Sequence, residues 1–261
     1  MWYWHIWLWK DNIDPVTIIN HEENEYRILP VNLGTKYDED GIHMKNWFYQ
    51  WGRKDPMLLP SAYNSNTYHT SYGSTSFSIS NAASSVDAAI KNPCTFYKYD
   101  SNYKYNWVQQ NYFYNYWDAT CGSTGFNEKA ITKTVYDPCP PGYSIPNARV
   151  FTGFTTTGDY IEIGANVETE EEFMASINVS GSWNSGWNFL TASGGSVFFP
   201  ASGCRSYSSG SVYGMSSNGS YWSAGADSEN YATLLYFNSG YVYPLNSYNR
   251  ADGFSVRPCA Y

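Results

Sequence analysis

Residues Asn238–Cys259 read NSGYVYPLNSYNRADGFSVRPC, and two patterns meet in them. Gly253-Phe254-Ser255-Val256-Arg257 alternates apolar and polar side chains, as a half-buried strand does. Upstream, Tyr241, Tyr243, Leu245 and Tyr248 stand among Asn, Ser and Pro and follow no single period. Asn238-Ser239-Gly240 is a turn signal between the apolar run YATLLYF (231–237) and YVYPL, so those two segments are expected to form a hairpin. Val242 takes the inward place, which leaves Tyr241 and Tyr243 outward.

Composition bounds what surrounds this hairpin. The chain of 261 residues suits one large or two small domains and can bury a substantial core; we read it as one domain. Aromatic residues make up 19% of it, including 26 Tyr, and Gly, Ser, Asn and Thr fill the gaps, which favours short strands and structured loops. A net charge of −8, with no lysine after Lys133, excludes nucleic acid as a partner, because phosphate binding needs clustered Lys and Arg. The opening run MWYWHIWLW stops at Lys10-Asp11, short of the roughly 20 residues that span a bilayer. It lacks the basic start and small-residue cleavage site of a signal peptide, and Met1 set directly on a strand-like run implies that any export signal lies upstream. Cys94, Cys121, Cys139, Cys204 and Cys259 contain no CxxC pair, so no zinc site is expected. They allow no more than two disulfides, which the spacing leaves unassigned.

Along the chain, Trp2–Trp9 is a strand apolar on both faces and Tyr26–Leu33 a second strand. In KNWFYQWGRKDP (45–56), Trp47, Phe48 and Trp51 have helix-like spacing, with Pro56 as a stop. Residues 61–130 are insertion-rich: a polar surface excursion over 61–80, then a helix in SNAASSVDAAIKNP capped by Ser80 or Asn81 and ended by Asn92-Pro93. The aromatic tract 95–117 follows as an irregular insertion packed on the body. VETEEEFMASINV (167–179) is a second helix, with Thr169 and Glu172 spaced as a capping box and three Glu in the first turn. Short strands then follow one another to the C-terminus. The class is α+β, with two helices and a meander of short strands.

No nucleophile–base constellation stands out. His5, His21, His43 and His69 all precede the helices, and Glu168–Glu172 is accounted for by the helix dipole. No catalytic residue, cofactor or metal site is expected. The stretch 205–250, in contrast, sets Tyr207, Tyr213, Tyr231, Tyr241, Tyr243 and Tyr248 among Ser, Gly and Asn. Tyrosine offers rigid amphipathic contact area at low entropic cost, and the small polar residues offer adaptable hydrogen bonds, as in an antibody paratope. Tyr221 and Tyr236 sit inside apolar runs and are read as ordinary half-buried strand residues.

WYWHIWLW, YQWGRKDP, VYDPCPPGYSIP, FPASGCR, GSYWSA, LLYFNSG and NRADGFSVRPC occur in the order found in the Fibrobacter-succinogenes-type major paralogous domain, which this chain resembles over nearly its whole length, most of all over 135–261. Such domains occur on surface proteins and pilus tips of gut anaerobes. The C-terminal part also resembles the C-type-lectin-like fold of proteins varied by diversity-generating retroelements. The resemblance implies that fold, paired N- and C-terminal strands (Trp2–Trp9 beside Phe254–Pro258), an extracellular pilus-tip location and a protein or glycan ligand on a host or microbial surface, or neighbouring pilus subunits. It does not imply membrane insertion. Adenine-directed diversification gives Tyr, Ser, Asn, Leu, Asp or Gly, and Tyr207, Ser208, Ser211, Tyr213, Tyr231, Tyr241, Tyr243, Leu245, Ser247, Tyr248 and Asn249 all belong to that set. They are the expected ligand-binding residues. Met215, Trp222 and Glu229 fall outside the set and are expected to be scaffold, as are Phe237, Phe254 and Val256. The Glu-Pro-Asn and Gln-Pro-Asp tripeptides of calcium-dependent lectins are absent.

Overall fold

A computed structural model describes residues 13–35, 46–57, 71–72, 75–76, 78–100, 102, 105–109, 113–126 and 128–261. The expected strand Trp2–Trp9, and with it His5, lies outside the described residues, as do His43 and His69. The class is α+β: the described residues form small, mostly antiparallel sheets with two α-helices, Val86–Lys91 and Glu170–Ser176.

The central sheet is an antiparallel meander of Gly219–Ala226, Tyr231–Phe237 and Tyr241–Asn249, with Ile161–Glu162 on its outer edge. The hairpin expected at Asn238-Ser239-Gly240 is formed, and the Asn238 side-chain oxygen accepts from the Gly240 and Tyr241 amides. Alternation along these strands feeds two cores. Trp222, Ala224, Ala232 and Leu234 enter one, with Trp51, Trp107, Trp117 and Phe254. Tyr221, Leu235, Phe237 and Val242 enter the other, with Phe154, Phe173, Trp187, Phe189 and Phe199. Both faces of the sheet are therefore covered by protein.

In the first core, four indoles each donate to a main-chain carbonyl: Trp51 to Ser223, Trp222 to Tyr49, Trp107 to Trp51 and Trp117 to Tyr136. A buried indole needs such a partner. The tract 95–117, expected as an insertion lying on the body, thus supplies part of the core itself. The helical reading of 45–56 is also corrected. Tyr49–Gln50 is a strand, Phe48 pairs with Met57, and Gly52 turns the chain at φ +85°. Successive aromatics occur there because both sides of the segment are buried, which imitates a helical stripe.

Ser85, and not Ser80 or Asn81, caps the first helix by accepting from the Ala88 amide; Asn92 closes it. Thr169 caps the second helix through the Glu172 amide, while the Glu172 carboxylate reaches back to the Glu168 amide.

The C-terminal segment closes the fold. Gly253–Phe254 pairs with Tyr49–Gln50 and Ser202–Arg205, and Cys259 pairs with both Ile28 and Ser144. Its N-terminal neighbour among the described residues is the Glu25–Ile28 strand and the segment after it: Leu29 donates to the Pro258 carbonyl and Leu33 to that of Val256. Gly253–Cys259 is buried throughout, which corrects the half-buried expectation. Its polar members find protein partners in place of water. Ser255 accepts from Asn46, and the Arg257 guanidinium donates to Asn32 Oδ1 (2.8 Å) and to the carbonyls of Leu29 (3.2 Å) and Phe198 (2.9 Å). All five cysteines are free thiols; Cys94 alone is exposed.

Candidate functional site: a tyrosine face

Pairing across the hairpin explains the missing period in YVYPLNSYN. Phe237 opposes Val242 and Tyr236 opposes Tyr243, but Leu234 opposes Asn246 and Ala232 opposes Tyr248. Pro244 and Leu245 together therefore oppose Leu235, a β-bulge that takes up one extra residue. Proline, which has no amide to give the ladder, is tolerated at such a position. The bulge changes the phase of the strand, so Tyr241 and Tyr243 before it and Tyr248 after it project from the side that carries Tyr236. The rings meet accordingly: Tyr236 lies 5.1 Å from Tyr241 and 6.2 Å from Tyr248. Ser247 opposes Thr233 and falls on the other side.

A second aromatic group lies alongside. Tyr105 sits between Tyr99 (5.6 Å) and Tyr231 (6.1 Å), nearly parallel to both, while Tyr207 packs against Tyr99 (5.0 Å) and Tyr105 (5.6 Å). Tyr105 holds a left-handed backbone at φ +68°, uncommon for a bulky residue, and its carbonyl accepts from the Ala251 amide. Burial first, then Asp252, Cys204 and Tyr207, push the Tyr248 phenol up. The Tyr213 phenol is raised by burial and by Cys204, its cross-strand partner, with Tyr248 also near. Such phenols stay neutral hydrogen-bonding groups at physiological pH.

Buried polar residues hold this face from below. Asp252 accepts from the Tyr207 amide (2.7 Å) and from the Asn249 side chain (3.1 Å). Arg250 donates to the carbonyls of Phe113 (3.0 Å) and Ser228 (2.5 Å) and lies 4.4 Å over the Trp51 ring. Arg205 donates to the Gly210 carbonyl at 2.7 Å, bracing the loop that carries Tyr207 and Ser208.

Of the expected binding residues, Tyr207, Tyr231, Tyr241 and Tyr248 join these two groups, while Tyr213 is exposed on the neighbouring sheet opposite Cys204. Ser208 is exposed and Ser211 half-buried on the same loop, their hydroxyls bonded to Ser206 and Ser209. Asn249 is buried and engaged with Asp252, so it is part of the support and not of the face. Tyr243 and Leu245 line a separate recess of about 360 Å³ with His21, Phe126, Arg149 and Asp159, where the Tyr243 ring lies 5.1 Å from Tyr160. Of the expected scaffold residues, Trp222, Phe237, Phe254 and Val256 are fully buried, Met215 is half-buried and Glu229 is exposed. Sequence reasoning missed Tyr99 and Tyr105, which lie about a hundred residues before their ring partners.

Among the described residues, no group of three or more His, Cys, Asp or Glu side chains is placed to hold a metal ion, and no helix is long and apolar enough to cross a membrane. Residues 171–259 match the model of a family described as a domain of unknown function (DUF8237). The match runs from the second helix to the buried C-terminal segment and includes the three long strands of the central sheet. No curated protein matches the chain, and no solved structure does either.

Proposed function

We propose that this chain is a non-enzymatic ligand-binding domain of C-type-lectin-like fold. It would be displayed outside the cell as an adhesin at a pilus tip, the setting that the resemblance to the Fibrobacter-type paralogous domain implies. Its binding face is the tyrosine surface around Tyr207, Tyr231, Tyr236, Tyr241 and Tyr248. One observation carries the reading: tyrosines from separate stretches of the chain converge at the rim of a sheet whose buried polar supports fix the backbone beneath them. Binding then rests on ring stacking and apolar contact with phenol hydrogen bonds, and long-range charge adds little. Rigid aromatic anchors of this kind contribute on the order of 2 kcal/mol each at an interface.

The test has two arms. Immobilised panels of glycans and of surface proteins should yield a ligand whose affinity barely changes between low and high salt; a steep loss with ionic strength contradicts the reading. The DNA flanking the coding region should hold a near-identical repeat that differs from codons 207–249 only at adenines; its absence removes the diversification component. A polysaccharide-binding reading draws on the recess at Tyr243, where an aromatic ring stands beside Arg149, Asp159 and His21. Binding confined to one glycan class and lost on Tyr243→Ala, but not on Tyr207→Ala, would favour it. If the face contacts pilus subunits instead, the purified domain should associate with those subunits.

A further inference from the structure

We infer that the recess beside helix Val86–Lys91 is a second binding site, and that it takes a small amphipathic carboxylate. It is a cavity of about 370 Å³ lined by Val86, Ala89 and Ile90 of the helix, by Trp107, and by Val135 and Tyr136, with the turn 52–55 at one side. That volume falls within the range of about 300–1,000 Å³ typical of small-molecule sites, which combine an apolar lining with a few polar groups that fix orientation. At its mouth stand two exposed apolar side chains, Ile90 at 43% and Val135 at 77%. Placing them against an apolar ligand removes that surface from water.

The polar groups at the recess determine the ligand's charge. Arg53 is fully engaged: it pairs with Asp55 (2.6 Å), donates to Gln50 Oε1 (2.9 Å) and the Thr95 carbonyl (2.8 Å), and lies over the Trp107 ring at 5.6 Å. The Arg53–Asp55 pair is thus neutral. Lys54, the next residue, is half-buried and lines the recess, yet its ammonium has neither a hydrogen bond nor an ion pair among the described residues. In a chain of net charge −8, the recess thus presents a neutral ion pair and one cation, Lys54, whose stem lies along the apolar lining while its ammonium stays open to water and to a ligand. An apolar body in the recess with a carboxylate against Lys54 satisfies both features. A neutral amphiphile satisfies only the first, and a cation meets repulsion. The tyrosine face plays no part in this site.

The test uses octanoate and 1-octanol, titrated calorimetrically into the purified chain. Octanoate should bind saturably and about fivefold more tightly than 1-octanol, the upper end of what one partly exposed ion pair contributes. Lys54→Met should bring octanoate to the affinity of the alcohol and leave the alcohol unchanged. Val86→Trp, which fills the recess from a half-buried position, should weaken both ligands more than tenfold without lowering the melting temperature. No saturable octanoate binding, equal affinity for acid and alcohol, or a preference that survives Lys54→Met would each overturn the proposal. Should Val86→Trp fail to fold, the wild-type ratio and the Lys54 variant decide the matter alone.

Discussion

Asp252 Oδ1 accepts the Tyr207 amide at 2.7 Å across the junction between the serine-rich loop and the end of the central hairpin. Through its other oxygen the same carboxylate holds Asn249, so one buried side chain fixes two tyrosine-bearing segments relative to each other. Its surroundings are Tyr207, Tyr213, Tyr248 and the Cys204 thiol. No cation stands within ion-pair distance of it among the described residues.

Burial pushes the Asp252 carboxyl up to about 7, against the lowering effect of the Tyr207 amide and the Asn249 side chain. In the unfolded chain it titrates near 3.9. The folded state therefore binds more protons between roughly pH 4 and 7. This group's contribution is present in full below about pH 4 and is lost as pH rises through about 7. In Asp252→Asn, the stability gap between the variant and the parent should shift toward the variant as pH rises from 5 to 8. Urea midpoints at several pH values measure it; a gap independent of pH contradicts the assignment.

Replacing Arg257 by Met should cost about 3 kcal/mol, because two buried acceptors, on Asn32 and Leu29, lose their donor at roughly 1–3 kcal/mol each, and a partly buried one on Phe198 loses its donor at a lower cost. Lys should rescue little of this, since one ammonium cannot reproduce the planar fork. Chemical denaturation of the two variants checks both statements.

Gly153 tests close packing of main chain on main chain. A Cβ there would lie 1.9 Å from the Ile19 carbonyl oxygen, a backbone atom that cannot swing aside. Gly153→Ala should destabilise by about 1–3 kcal/mol or more. Gly122→Ala, where a Cβ meets nothing within 4 Å, is the control and should leave the melting temperature nearly unchanged.

The tyrosines of the proposed face should separate by depth. Tyr241→Ser should lower stability only slightly. Adding Tyr248→Ser should cost about 1 kcal/mol more, because that ring packs 5.7 Å from Phe254 in the core. Melting curves should show this graded loss, while retention on the glycan and protein panels should fall in both variants.

The hairpin, the second helix and the scaffold aromatics were legible because each has a local signature: Asn-Ser-Gly between apolar runs, Thr169 three residues before Glu172, and Trp222 or Phe254 in alternating patterns. The bulge at Pro244-Leu245 was not, because it is defined by what Leu235 faces on the next strand. Val242 inward with Tyr241 and Tyr243 outward followed from period two; that Tyr248 shares their side did not. Tyr99 and Tyr105 escaped for a related reason, since only the folded chain brings them to Tyr207 and Tyr231. The stretch 45–56 misled because a segment buried on both sides has no polar face to reveal its period.

The strand Tyr231–Phe237 has a consequence for how the molecule comes apart. Leu234 belongs to one core and Leu235 to the other, so consecutive residues of a single strand close both. Stripping either core leaves one side of the central meander bare to water, which withdraws support from the opposite side as well. The two cores should behave as one cooperative unit: calorimetry should give a single transition, and truncating Phe189 in one core should lower the same transition that truncating Trp117 lowers from the other.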